Sequence, residues 1–143
     1  MFVDTNLWVY RLDQREPEKS TFVRDWLRAV AVEHEIVVST QVLIELRSVL
    51  TRKLLPPLSP ADARLALGIV SAFEVVPTHA ALVLDAHELA QIEQLSWFDA
   101  LIVEAALRSH CGVLYSEDLD HGRRIGGLTI CNPFSERAAG ATK

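Results

Sequence analysis

The chain has 143 residues, 50% of them hydrophobic, and carries 14 lysines and arginines against 19 aspartates and glutamates, for a formal net charge of −5. This is material for one continuous core rather than two, and the charge has the wrong sign for a protein that grips nucleic acid by broad neutralisation of phosphates. No apolar run approaches the ~18 residues of a spanning helix, no secretory signal is evident and no repeat interrupts the body, so a soluble cytoplasmic domain without a membrane partner is expected.

Residues 2–4 read as a short buried strand that feeds a helix over 6–12, and 17–32 read as a second helix with Pro17 near its start. Residues 36–38 form the next strand; Ser39 or Thr40 then caps a helix running to about Lys53, which Pro56 and Pro57 end. Ser59-Pro60-Ala61-Asp62 is a start signal for a helix reaching Ala72. Residues 73–76 are strand-like, Pro77-Thr78 breaks them, and 80–95 carry Leu82, Val83, Ala86, Leu89 and Ala90 at helical spacing. Ser96 opens a helix to His110 with Gly112 as its stop, 113–115 form a strand ending in Ser116-Glu117-Asp118, and 128–131 form a last short strand.

Strands separated by helices predict the α/β class: a central parallel sheet of about four to five strands flanked by helices, because each return to a parallel strand needs a crossover. One domain is expected over residues 1–134, followed by a tail at 135–143. Cys111 and Cys131, at a helix end and a strand end, are expected as reduced thiols without a chemical role.

In such sheets ligands gather beyond the carboxyl ends of the strands. Asp4 ends the first strand and Asp118 follows a later one, while Asp99 falls in the first turn, and Glu45 one turn in, of helices that start on the same side. Val42, Leu46, Val49 and Leu50 define the buried stripe of the Glu45 helix, and Glu45 sits at its border. A semi-buried cluster of like charges is costly unless something positive occupies it, and a hard divalent cation, Mg²⁺ or Mn²⁺, suits carboxylate and water oxygens. The reaction class that follows is hydrolytic phosphoryl transfer. No Gly-rich phosphate loop, zinc-spaced Cys/His cluster or Gly-x-Ser-x-Gly elbow competes with it.

Each acid also has a structural alternative. Ser96-Trp97-Phe98-Asp99 matches a capping box, Asp4 suits a helix N-cap, Asp118 a turn, and Glu45 an ion pair with Arg47 or Arg52. Their joint placement on one edge favours the functional reading. The five histidines show no ligand spacing, and His79, His87 and His110 read as helix-surface residues.

The segments Val3-Asp4-Thr5-Asn6, Val38-Ser39-Thr40-Gln41-Val42 leading to Glu45-Leu46, Phe98-Asp99-Ala100, Ser116-Glu117-Asp118-Leu119 and the closing Asn132-Pro133-Phe134 resemble, in this order, the PIN domain. They resemble more closely the VapC-type toxins of prokaryotic toxin–antitoxin pairs, over nearly the whole chain. The resemblance implies an endoribonuclease that needs Mg²⁺ or Mn²⁺, with Asp4, Glu45, Asp99 and Asp118 as its acidic site and Asn6 and Ser116 as supporting polar residues. Within it, Asp4 and Asp99 are assigned to direct metal ligation, and Glu45 and Asp118 to orienting water or assisting as base.

The resemblance further implies an RNA substrate, a homodimer and a cognate antitoxin. Trp8, Val9, Trp26 and Leu27 are candidates for a dimer or antitoxin surface, with a place in the core as the stronger alternative. Arg47, Arg52, Lys53, Arg123 and Arg124 are candidates for RNA contact, each also readable as a solvated surface charge.

The rival readings are a DNA-directed metal nuclease and a non-catalytic RNA-binding or regulatory module whose acidic site has decayed; the presence of all four acids argues against the second. A phosphatase with an aspartyl nucleophile would need an acid where Asn6 stands, and a receiver domain would need a lysine at a late strand end.

Overall fold

A computed structural model describes residues 1–13 and 15–135 of the chain. In chain order come β1 (Phe2–Val3), α1 (Thr5–Leu12), α2 (Pro17–Glu33), β2 (Val37–Ser39), α3 (Thr40–Arg52), α4 (Pro60–Ser71), β3 (Glu74–Val76), α5 (Ala80–Glu93), α6 (Trp97–Arg108), β4 (Val113–Tyr115), β5 (Arg124–Ile125) and β6 (Leu128–Cys131). Apart from Ser135, the tail expected over 135–143 lies outside the described residues.

The strands form one sheet in the order β3-β2-β1-β4-β6-β5, with every pairing parallel except the β5–β6 hairpin at the edge. The fold is therefore α/β, with helices making the crossovers from β1 to β2, β2 to β3 and β3 to β4, while β4 and β6 are joined through a loop and β5. Phe2 pairs with Val37 on one side and Leu114 on the other, and Val3 pairs with Tyr115, so β1, β2 and β4 end at a common edge. The backbone continues that alignment one step further, with Asp4 N–H donating to Tyr115 O at 3.0 Å and Ser116 N–H to Cys131 O at 3.0 Å.

Helix starts follow the side chains able to satisfy free N–H groups. Ser39 Oγ accepts from Val42 N–H at 3.3 Å, Ser59 Oγ from Asp62 N–H at 3.1 Å and Ser96 Oγ from Asp99 N–H at 3.3 Å. On α3, Val42, Leu46 and Leu50 are fully buried at helical spacing, and each buried aliphatic side chain of this kind stabilises the fold by roughly 1.5–3 kcal/mol. Helix α6 is buried on most of its circumference, from Ala100 to Val103 and again at Ala105 and Ala106, which fixes its first turn against the sheet edge.

Three expectations need correction. The strand β5 was not expected, because Arg124-Ile125 is too short to carry a periodic signal and is ordered by pairing with Thr129 and Leu128. Gly112 does not stop α6: His110 takes the left-handed conformation (φ 57°) and Cys111 N–H reaches back to Ala106 O at 3.1 Å, closing the helix earlier. His79 is the N-cap of α5 rather than a surface spectator, its Nδ1 accepting from Leu82 N–H at 3.1 Å.

Trp8, Val9, Trp26 and Leu27 take the place that was the stronger alternative to a dimer or antitoxin surface, in the core and its margin. Trp8 and Leu27 are buried, and the Trp8 indole N–H donates to Val3 O at 3.3 Å while its ring packs on Phe73. Trp26 packs edge-on against Tyr115 with ring centroids 4.7 Å apart.

Candidate active site

Asp4 stands where β1 turns into α1 and is 7% exposed. Its Oδ1 accepts from Thr5 N–H at 2.7 Å, which makes it the N-cap of α1, and its Oδ2 accepts from Ser116 Oγ–H at 2.8 Å. Burial pushes the carboxyl from its usual 3.8 up to about 7; the two hydrogen bonds oppose that rise, and the charges of Glu45 and Asp118 add to it. A carboxylate capped this well and still so reluctant to ionise lacks a compensating positive charge.

Ser116 is fully buried and central to a small polar network. Besides donating to Asp4, its Oγ accepts from Asn6 Nδ2 at 3.3 Å and from Asp118 N–H at 3.2 Å. Asn6 Nδ2 also donates to Asp118 Oδ2 at 3.0 Å, and Asn6 Oδ1 accepts from Glu117 N–H at 3.4 Å. The start of α1 is thereby tied to the segment after β4, and Asp118 is turned toward Asp4. Glu117, in the bend that follows β4, faces elsewhere and pairs with Lys19 Nζ at 3.1 Å.

Glu45, half-buried on α3, reaches the same neighbourhood from the other side. Its Oε1 accepts from Gln41 Nε2 at 3.1 Å and from Thr5 Oγ1 at 3.4 Å. Burial raises its pKa, the two hydrogen bonds lower it, and the charges of Asp99 and Asp118 raise it again. Asp99 lies in the first turn of α6; its backbone N–H is capped by Ser96, but the reciprocal side-chain half of a capping box is not among the bonds formed by the described residues.

The structure thus brings together Asp4, Glu45, Asp118, Asn6 and Ser116, with Asp99 close enough to act on Glu45 through its charge. Among the described residues none of the four acids forms an ion pair; the salt bridges engage Asp13, Glu117, Asp85, Glu104 and Glu93 instead. The cleft that opens on Thr5, Asn6, Glu45 and Asp118, about 390 Å³, has Arg15 as its one lining lysine or arginine among the described residues, and Arg15 is held by Asp13 at 2.9 Å.

Among the described residues no three acidic, histidine or cysteine side chains stand close enough to enclose one ion by themselves. The donor set nonetheless fits a magnesium-like ion, which keeps most of its own waters and is held through one or two carboxylates rather than in an all-protein cage. The unpaired acids around a buried, poorly ionised Asp4 are the observation on which that fit rests.

None of the expected RNA-contacting cations is among the described residues that line this cleft. Arg47 is two residues beyond Glu45 and so faces away from it on α3, while Arg52 and Lys53 lie roughly 10–12 Å further along the helix axis. Arg123 donates to the backbone and carboxylate of Glu93, and Arg124 is exposed on the edge strand β5. Thr5 and Gln41 are site residues that sequence reasoning passed over; the signal available was the position of Gln41 one turn before Glu45 on the same helix face.

Comparison with known proteins agrees with the fold. The PIN domain family model matches residues 1–126. The chain is similar in structure to VapBC2 from Rickettsia felis, described as bound to a DNA fragment from its promoter, with 20% identity and a TM-score of 0.65 over 92% of this chain and 96% of that one. It is similar to a toxin–antitoxin complex from Klebsiella pneumoniae, with 16% identity and a TM-score of 0.66 over 90% and 94% of the two chains. It is also similar to VapC20 from Mycobacterium tuberculosis, described as a sarcin-ricin loop cleaving toxin, with 20% identity and a TM-score of 0.63 over 83% and 90%. No curated protein matches the chain.

Proposed function

The chain belongs to the PIN domain family, and we propose that it is an endoribonuclease dependent on Mg²⁺ or Mn²⁺ and the toxin of a toxin–antitoxin pair. The observation that carries this reading is the buried Asp4, flanked by Glu45 and Asp118 and without a cationic partner among the described residues. The similarity to structures described as toxin–antitoxin complexes and as an RNA-cleaving toxin supports it. A cognate antitoxin and a second copy of the chain are its partners in this reading, with Ile44, Trp97 and Phe98 as exposed apolar side chains within two residues of Glu45 or Asp99.

Asp4 and Asp99 would hold the cation. When bound, such an ion polarises a phosphodiester and makes water a better nucleophile near neutral pH. Glu45 Oε1 is occupied by Gln41 and Thr5, which leaves Oε2 to take a proton from the attacking water. Its raised pKa suits that task, because a base that is too acidic accepts a proton poorly. Ser116 keeps Asp4 oriented, and Asn6 keeps Asp118 turned toward the same point.

A circular single-stranded RNA tests the endonucleolytic part. Linear products in Mg²⁺ or Mn²⁺, absent with EDTA, are expected; an intact circle beside trimming of linear RNA to mononucleotides would oppose it.

A further inference from the structure

Gln41 lies one helical turn before Glu45 and is 7% exposed. Its Nε2 donates two hydrogen bonds, to Glu45 Oε1 at 3.1 Å and to the carbonyl oxygen of Phe98, the residue before Asp99, at 3.2 Å. Both partners can only accept, so the amide nitrogen must face them. The amide oxygen is then left buried, and among the described residues Gln41 Oε1 has no hydrogen-bond partner.

A buried acceptor without a donor is a standing penalty, and a leucine or methionine would fill such a helix position without it. The amide is therefore explained by what its N–H groups do rather than by packing. Its base is anchored independently: Gln41 N–H donates to Thr78 Oγ1 at 3.3 Å, and Thr40 Oγ1 donates to Val76 O and accepts from Thr78 N–H, both at 3.4 Å. The first turn of α3 is so pinned to the end of β3.

We propose that Gln41 is a positioning residue of the acidic site, whose two donated bonds hold Glu45 and the turn carrying Asp99 at a fixed separation so that Asp99 directly, and Glu45 through water, serve one divalent cation. This rests on the reading above that the acids bind such a cation. Gln41 itself touches neither ion nor RNA.

The test is Mn²⁺ binding alone, followed by the electron paramagnetic resonance of the free ion, for the wild-type chain, Gln41→Met, Glu45→Ala, the double variant and Asp4→Asn. Methionine keeps the volume and donates nothing. The expected result is a Mn²⁺ Kd raised about 10- to 100-fold in Gln41→Met, with a melting temperature within about 4 °C of wild type. In the Glu45→Ala background the same change should add at most about threefold, because one of the two bonds it removes is already gone and no Glu45 carboxylate is left to be held at a separation from Asp99.

Wild-type affinity in Gln41→Met, or an equal loss with and without Glu45, would overturn the proposal. Should Gln41→Met not fold, Gln41→Leu takes its place with the same two criteria. If Asp4→Asn loses Mn²⁺ while Gln41→Met and Gln41→Leu keep it, the role of Gln41 alone falls; if the wild-type chain binds Mn²⁺ no better than Asp4→Asn, the cation reading falls and the role of Gln41 with it.

Discussion

The side-chain amide of Asn6 donates to the hydroxyl of Ser116 at 3.3 Å across 110 residues of sequence. Because the same hydroxyl donates to Asp4 and the same amide donates to Asp118, this one contact joins two acids that the chain supplies from opposite ends.

Ser116→Ala removes a hydrogen bond to a buried carboxylate and leaves the Asn6 amide and the Asp118 N–H with one partner fewer. The expected loss of stability is roughly 1–3 kcal/mol, read by urea denaturation. The Asp4 carboxyl should titrate higher than in the wild-type chain, since the Ser116 bond is the strongest influence lowering it. An unchanged titration of Asp4 by NMR would show that the bond does not matter.

The pH dependence of the metal-free protein has a definite sign. Asp4 titrates near 3.8 when unfolded and near 7 when folded, so between those values the folded state binds more protons than the unfolded one. The contribution of this group should therefore be fully present below that window and be lost as pH rises through it, by something on the order of 4 kcal/mol. Saturating Mn²⁺ binds the ionised form and should restore the loss near pH 7. Melting temperatures with and without Mn²⁺ across pH 4 to 8 read both effects, and a metal-free stability that rises from pH 4 to 7 would contradict the account.

Ser96→Ala should cost about 1 kcal/mol through loss of the α6 cap. It should also weaken Mn²⁺ binding, because the uncapped turn is the one that carries Asp99. Stability and binding measured on the same preparation separate the two, and undiminished Mn²⁺ binding would argue that Asp99 is not held by this turn.

Arg123→Ala is expected to leave the kcat/KM for RNA unchanged within about twofold, since its guanidinium is engaged by Glu93, the last residue of α5. The partly exposed ion pair should contribute less than about 1 kcal/mol to stability. A tenfold fall in kcat/KM would place Arg123 on the RNA after all.

Much of this architecture was readable before any coordinates, for identifiable reasons. The strands and helices that matter are marked by strong local chemistry: Ser39, Ser59 and Ser96 at helix starts, Pro60 in a first turn, and the Val42, Leu46, Leu50 stripe. Acids at strand ends could be placed on one edge because a parallel sheet has only one such edge. What stayed hidden depends on pairing between distant residues: β5 exists only because β6 pairs with it, and Arg123 is occupied only because α5 brings Glu93 to it. Gln41 stayed hidden because a glutamine on a helix usually faces water, and only the packing of α3 against α6 buries it.

The most direct test of the central claim is to incubate end-labelled total and transfer RNA with the purified chain in Mg²⁺, in Mn²⁺ and in EDTA, beside an Asp4→Asn variant shown to be folded. Discrete fragments that require metal and are absent with Asp4→Asn are the predicted result. Equal cleavage by Asp4→Asn, or cleavage that persists in EDTA, would contradict an active site built on a cation held at Asp4.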